Sequence, residues 1–197
     1  MSRLAELKKH LRGGQVYRRI ELSEWSNAVD RHLDELLQEG VLEKLSPGLY
    51  FVPKTSAFGK VPPEEDVLVQ SFLKDNRFLL LTPNFYNSLG VGTTQLYNKK
   101  VVYNHKRHGK FKLGKREFEF QLKHHFPSKV TEEFLLVDLA NNLDSLAEDR
   151  NVVLNNLLAK ASQMPNRKLK HAVTAYGTIK TKKLLKSVIN NATVAHG

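Results

Sequence analysis

The sequence predicts an α+β protein built in two different parts. A small module of helices closed by a hairpin is followed by a mixed α+β domain with a small antiparallel sheet and a helical C-terminal half. Three observations predict it. Val29, Leu33, Leu36 and Leu37 fall at i, i+4, i+7 and i+8, one apolar stripe at helical period. Val41–Leu45 and Leu49–Val52 bracket Ser46-Pro47-Gly48, a strand–turn–strand pattern with the punctuation of a hairpin. Beyond Lys54–Pro63, short strand-like runs give way at Thr131 to helical segments.

In chain order, Leu4, Leu7 and Leu11 mark a first helix that Gly13-Gly14 ends, and Val16 lies in a short strand. Glu21–Trp25 reads as a short second helix. Ser26 stands before the third, where a hydroxyl can accept a bond from an orphan N–H of the first turn. Gly40 follows the last periodic residue and is the expected stop. A helix-turn-helix followed by a hairpin is the winged form of a DNA-reading module. Residues 1–53 are therefore assigned to a winged helix-turn-helix, 54–63 (KTSAFGKVPP) to a linker, and 64–197 to the α+β domain.

In that second part Glu64–Asn76 is helical and Phe78–Leu81 is a short buried strand. Thr82-Pro83 starts a brief helix that Gly90 ends. Leu96–Asn104, Gly109–Leu113 and Glu117–Leu122 are strand-like; Phe118 and Phe120 alternate with polar neighbours, as in a half-buried strand. Thr131-Glu132-Glu133 opens a helix through Leu146, and helices follow over 151–161, 165–176 and 178–190.

The chain has 197 residues, a net charge of +11 and a pI near 9.8. Such a surplus attracts polyanions. The absence of cysteine excludes disulfides and thiolate metal sites and fits a reducing compartment. No apolar run reaches the roughly 18 residues of a membrane span, and no signal-peptide pattern opens the chain. The expectation is a soluble cytoplasmic protein that does not enter a membrane.

The surplus is unevenly placed. Residues 1–53 carry eight basic and eight acidic side chains, whereas 96–129 carry ten and two. Residues 131–150 are acidic, six against one, and from Asn151 onward there are eight Lys and Arg and no acidic residue.

Within the helix-turn-helix, Ser26, Asn27 and Arg31 are expected to face away from the Val29/Leu33 stripe, toward base edges. Asn can bond bidentately to adenine and Arg to guanine. Arg18, Arg19, Lys44 and Ser46 at the hairpin tip are expected at phosphates. Asp30 and Asp34 share that outer surface and repel phosphates, confining contact to the helix N-terminal turn. Winged helices also serve as protein-contact modules, and the neutral charge suits that use. In the acid-free C-terminal segment, Arg167, Lys168, Lys170, Lys180, Lys182 and Lys183 interleave with apolar residues. They read as a second basic surface for an anionic partner, against the blander reading of a solvated face packed on the acidic helix.

No metal or cofactor is expected. His105, His108, His124 and His125 sit among Lys106, Arg107 and Lys123, and adjacent histidines on a strand face opposite sides. Gly90-Val91-Gly92-Thr93-Thr94 lacks the lysine and spacing of a phosphate-cradling loop. Asp138, Asp144, Glu148 and Asp149 are read as the charged outer face of a helix whose inner face is Phe134, Leu135, Leu139, Leu143 and Leu146. No catalytic constellation stands out, so no enzyme is expected.

Three stretches carry a family resemblance: VYRR at Val16–Arg19, SNAVDRHLDELLQEGVLEKLSPGLYFVP at Ser26–Pro53, and TPNFYNSLGVGTTQLYNKKVVYNHKR at Thr82–Arg107. In these and their order the chain resembles the AbiEi-type antitoxins, the regulator half of type IV toxin–antitoxin and abortive-infection (phage-defence) systems. The similarity spans Met1 to about Ala161. It implies a repressor that binds inverted repeats in its own promoter through the winged helix, with a C-terminal domain that counters a nucleotidyltransferase-type toxin. Carried over by position, the promoter-reading roles fall on Arg18, Arg19, Ser26, Asn27, Arg31, Lys44 and Ser46. The expected partners are therefore double-stranded DNA and a cognate toxin. A monomer and a weak dimer that binds DNA cooperatively both remain open. The alternatives are a module that masks a protein partner without reading DNA sequence, or a stand-alone winged-helix repressor.

Overall fold

The computed structural model describes residues 3–57, 59–92, 100–145 and 149–194. They form a mixed α+β protein with small antiparallel sheets and a helical C-terminal half. The chain divides into two compact units, Met1–Asn76 with Lys110–Phe118, and Arg77–Gly109 with Glu119–Gly197.

In the first unit, α1 (Arg3–His10) leads to β1 (Val16–Arg18), α2 (Arg19–Ser23), α3 (Val29–Gln38), β2 (Glu43–Ser46) and β3 (Leu49–Phe51). The strand order is β1-β3-β2, all antiparallel, with Tyr17 opposite Tyr50 and Lys44 opposite the same tyrosine on the other side. Helix α3 is strongly amphipathic and buries Val29, His32, Leu33 and Leu36. It stops at Gly40, whose φ of +71° is a conformation glycine adopts without penalty. There the Val41 N–H reaches back to the Leu36 carbonyl at 2.9 Å and the Gly40 N–H to that of Leu37 at 3.1 Å. The core of this part is Leu7, Leu22, Val29, Leu33, Leu36, Leu42, Tyr50 and Val52, with Trp25 packed against it.

Two local expectations shift. The short second helix starts at Arg19 instead of Glu21, because the Glu21 carboxylate turns back to accept the Arg18 N–H at 2.8 Å and fixes the helix start there. The stretch expected to be a linker contains a hairpin, β4 (Lys54–Ser56) paired antiparallel with β5 (Gly59–Val61). The helix after it, α4 (Glu65–Leu73), counts with the first compact unit. Gly59, the first residue of β5, has a φ of +106°, a conformation glycine adopts without penalty.

In the second unit β6 (Phe78–Leu81) pairs antiparallel with β7 (Lys100–Asn104), and α5 (Pro83–Asn87) lies between them in sequence. Of the strand expected over Leu96–Asn104, Lys100–Asn104 is seen as β7; residues 93–99 lie outside the described residues. Then come β8 (Gly109–Leu113) and β9 (Arg116–Leu122), of which Lys110–Phe118 counts with the first unit, and the third sheet has the order β6-β7-β9-β8. Helix α6 (Glu132–Asn141) is buried on every side from Phe134 to Ala140, as a central helix must be. The helix expected through Leu146 ends at Asn141 and passes into a 3-10 turn over Leu143–Ser145. Helices α7 (Arg150–Gln163), α8 (Asn166–Tyr176) and α9 (Ile179–Val194) pack around α6. Among the described residues no helix is long and apolar enough to cross a membrane.

Candidate nucleic-acid interface

Of the seven residues expected to meet DNA, Arg31 lies on α3, Asn27 in the turn before it, and Lys44 and Ser46 on β2. Asn27 is exposed in the turn before α3, and Arg31 is exposed in its first turn, with its Nε 3.6 Å from Glu35. Lys44 is exposed on β2. Ser46 is half-buried beside a register shift between Lys44 and Ser46. The Pro47-Gly48 turn is tight, and the Gly48 carbonyl accepts the Arg19 N–H at 2.9 Å, so the hairpin tip is held close to the start of α2.

Three of the expected residues are committed within the protein. Ser26 is buried, and α3 begins two residues later than it would if Ser26 were its cap. Its hydroxyl accepts the Ala28 N–H at 3.3 Å and bonds the buried His32 Nδ1 at 2.7 Å. It therefore joins the turn to the inner face of α3 and does not face solvent. Arg18 donates from Nε to Glu21 Oε1 at 2.8 Å, with its Nη2 on the same oxygen, and is half-buried. Arg19 grips Asp30 with two parallel bonds of 2.7 and 2.6 Å, tying α2 to the first turn of α3. That bond holds the Asp30 carboxyl below, and the Arg19 guanidinium above, their ordinary ranges. Asp30 and Asp34 are both exposed on α3.

The second basic surface lies on the α8–α9 hairpin. Arg167, Lys168 and Lys170 are exposed on α8, and Lys180, Lys182 and Lys183 on α9. Lys180 donates to Asp144 at 3.0 Å, and Asp144 also pairs with Arg150 at 3.1 Å, which together hold its carboxyl below the usual range. Among the described residues the other five cations have no carboxylate partner. The acidic segment 131–150 thus pairs with little of this charge. Asp149 instead caps α7 through the Asn151 N–H at 2.9 Å.

Asp138 is the clearest departure from the sequence reading, which puts it on the outer face of its helix. It is buried, and its carboxylate accepts the Tyr86 hydroxyl at 2.6 Å and the Tyr103 hydroxyl at 2.7 Å. Burial raises its pKa, against the opposing pull of the two tyrosine bonds and of Lys123. Its spacing from Phe134 and Leu135, i+4 and i+3, already places it on the apolar stripe. Glu148 and Leu146, named with it in the sequence reading, lie outside the described residues. Of the histidines, His105 stacks on Phe126 with ring centroids 4.8 Å apart.

Two buried or half-buried asparagines shape the second unit and carry no sequence signal of their own. Asn104 accepts the N–H groups of Lys106 and Arg107 at 2.9 and 2.7 Å and so fixes the turn after β7. Asn141 donates to the Tyr176 carbonyl at 3.0 Å and accepts from the Thr178 N–H at 2.9 Å and the Thr181 hydroxyl at 2.7 Å. It pins the α8–α9 corner to the end of α6. Asn141→Ala is expected to cost about 2 kcal/mol, read as a lower urea midpoint by circular dichroism, because the Thr178 and Thr181 donors lose their shared acceptor.

No family model matches the chain, and no curated protein matches it. Among solved structures it is similar to the crystal structure of the Rv2827c protein from Mycobacterium tuberculosis. The TM-score is 0.56 at 12% identity, over 95% of this chain and 74% of that one. Likeness at that identity is a likeness of fold.

Proposed function

We propose that this is a cytoplasmic, non-catalytic DNA-binding autorepressor and antitoxin of the type IV, AbiE-like kind. Residues 1–53 act as a winged helix-turn-helix on promoter inverted repeats, and the basic C-terminal helices counter a nucleotidyltransferase-type toxin. The observation that carries the DNA reading is the element order α1-β1-α2-α3-β2-β3, closed by the β1-β3-β2 sheet with α3 exposing its first turn. The antitoxin half rests on the resemblance and on Arg167, Lys168, Lys170, Lys182 and Lys183, which have no carboxylate partner among the described residues.

Within this reading Asn27 and Arg31 are the base-reading side chains, and Lys44 is a phosphate contact. Arg19 can reach a phosphate only by leaving Asp30, while Arg18 and Ser26 support the module from inside. Arg31→Ala and Asn27→Ala are each expected to weaken binding to the upstream region by about 1–3 kcal/mol while changing random-duplex binding little. A mobility-shift titration in which the wild-type protein binds its upstream region no better than random DNA would falsify the repressor.

A second reading has its own observation in favour: the exposed Asp34 on α3 repels phosphates and Asp30 offsets the charge of Arg19, which suits a protein-contact module. Co-expression with the neighbouring gene product separates the two. Neutralisation that survives deletion of residues 1–53 assigns that activity to the rest of the chain.

A further inference from the structure

We propose that the β8–β9 turn is a second DNA-backbone element of the N-terminal unit, with Lys115 and Lys44 gripping duplex phosphates from two walls of one groove. The inference rests on the DNA-binding reading above. It extends that reading to residues that the sequence assigns to the other domain.

The groove encloses about 530 Å³, and its walls include Lys44, Leu45, Lys60, Pro63, Lys115 and Arg116. The turn is seated on the edge of β2: the Gly114 N–H donates to the Leu45 carbonyl at 2.7 Å. Next to it the Arg116 Nη1 donates to the Pro63 carbonyl at 2.6 Å, and its Nε lies 3.6 Å from Glu65. On the β4–β5 side Lys60 pairs with Glu43 at 2.9 Å. Arg116 and Lys60 therefore build the groove, and their charge is largely offset.

Lys44 and Lys115 are exposed and, among the described residues, have no carboxylate partner. Lys110 and Lys112 extend the same charge along β8. They alternate with Phe111, which packs on Phe72 at 5.1 Å between ring centroids, and with the buried Leu113. A strand that turns two apolar side chains inward must turn the lysines between them outward. The cations are spread over an edge strand and a turn, and all are solvated. That arrangement suits a row of phosphates more than a single small anion, which calls for converging donors. Lys44 also joins the groove directly to the hairpin of the proposed DNA-reading module.

The test uses the full chain and two fluorescein-labelled duplexes, its own upstream region and a random sequence of equal length, titrated by anisotropy at several salt concentrations. Lys115→Glu is expected to weaken both duplexes by a similar factor, about tenfold near 0.1 M salt. Lys115→Ala should lower the slope of log affinity against log salt by about one. Combining Lys44→Ala with it should remove a further unit. An unchanged slope and affinity for Lys115→Glu, with the upstream preference intact, overturns the groove and leaves the repressor reading standing. Loss of affinity for random DNA in that variant, with no upstream preference in the wild type, supports the groove and overturns sequence reading. A wild-type chain that binds neither duplex overturns both. Thermal midpoints equal to wild type confirm that each variant is folded.

Discussion

Asp138→Ala is expected to lower the stability of the protein by about 3 kcal/mol, seen as a drop in the urea midpoint of the far-ultraviolet circular dichroism signal. The substitution leaves the hydroxyls of Tyr86 and Tyr103 without their acceptor in the interior, 2.6 and 2.7 Å from where the carboxylate oxygens stood. A buried polar group that loses its partner costs about 1–3 kcal/mol, and here there are two. Replacing all three together, Asp138→Leu with Tyr86→Phe and Tyr103→Phe, is expected to cost much less, because no donor is left stranded. The pH dependence follows from the direction of the shift. Burial raises the Asp138 pKa in the folded state, so the folded protein takes up this proton at a higher pH than the unfolded chain. Its contribution to stability is full below the ordinary carboxylate range and is lost as pH rises through the raised value. Between neutral pH and that range, wild type should gain stability relative to Asp138→Asn as the pH falls. A difference between the two that stays flat over that window sinks the assignment. Asp30 and Asp144 act in the opposite sense. Their pKa values are lowered by Arg19 and Lys180, so their contributions are present above the ordinary carboxylate range and fade as pH falls through the lowered values.

The second large effect is expected at Gly114. Its φ is +64°, and a Cβ there would lie 3.0 Å from a methyl carbon of Leu45. A β-branched residue in this region is strained by the backbone alone, at about 1–3 kcal/mol. Gly114→Val is therefore expected to cost about 3 kcal/mol and to free the turn from β2. Gly40→Val is the matched control: its φ of +71° is similar, but a Cβ there meets nothing within 4 Å. It should cost only the backbone strain, about 2 kcal/mol, and the excess at Gly114 measures the contact with Leu45. Fluorescence of Trp25, the single tryptophan, follows the first unit; it stacks on His10 with ring centroids 4.6 Å apart. Equal losses for the two variants would show that the turn does not depend on this close approach.

Much of the fold was legible wherever a periodic pattern meets a backbone constraint within a few residues. The stripe Val29, Leu33, Leu36 and its stop at Gly40 need only helical geometry and one glycine, and α3 follows them. The hairpin around Pro47-Gly48 is equally local. Strands β8 and β9 emerge from alternating Phe and charged residues, and α7, α8 and α9 from their apolar spacing. The site residues were legible only as types. Asn27, Arg31 and Lys44 are exposed as expected; Glu21, three residues on, holds Arg18 locally, but nothing adjacent marks Ser26, which His32 draws inward.

By itself the sequence determined the α+β class, the basic surplus and the acid-free C-terminal helices. Each of these depends on composition or on contacts a few residues apart. The tertiary structure alone decided which charges are spent and which remain. Asp138 is buried by Tyr86 and Tyr103, 52 and 35 residues away, and Asn141 holds Thr181 at a separation of 40. The turn carrying Lys115 lies against β2 through Gly114 and Leu45, far apart along the chain. Pairings at such separations are selected by the closing of the whole core, after loop-closure entropy has been overcome, and no local pattern encodes them.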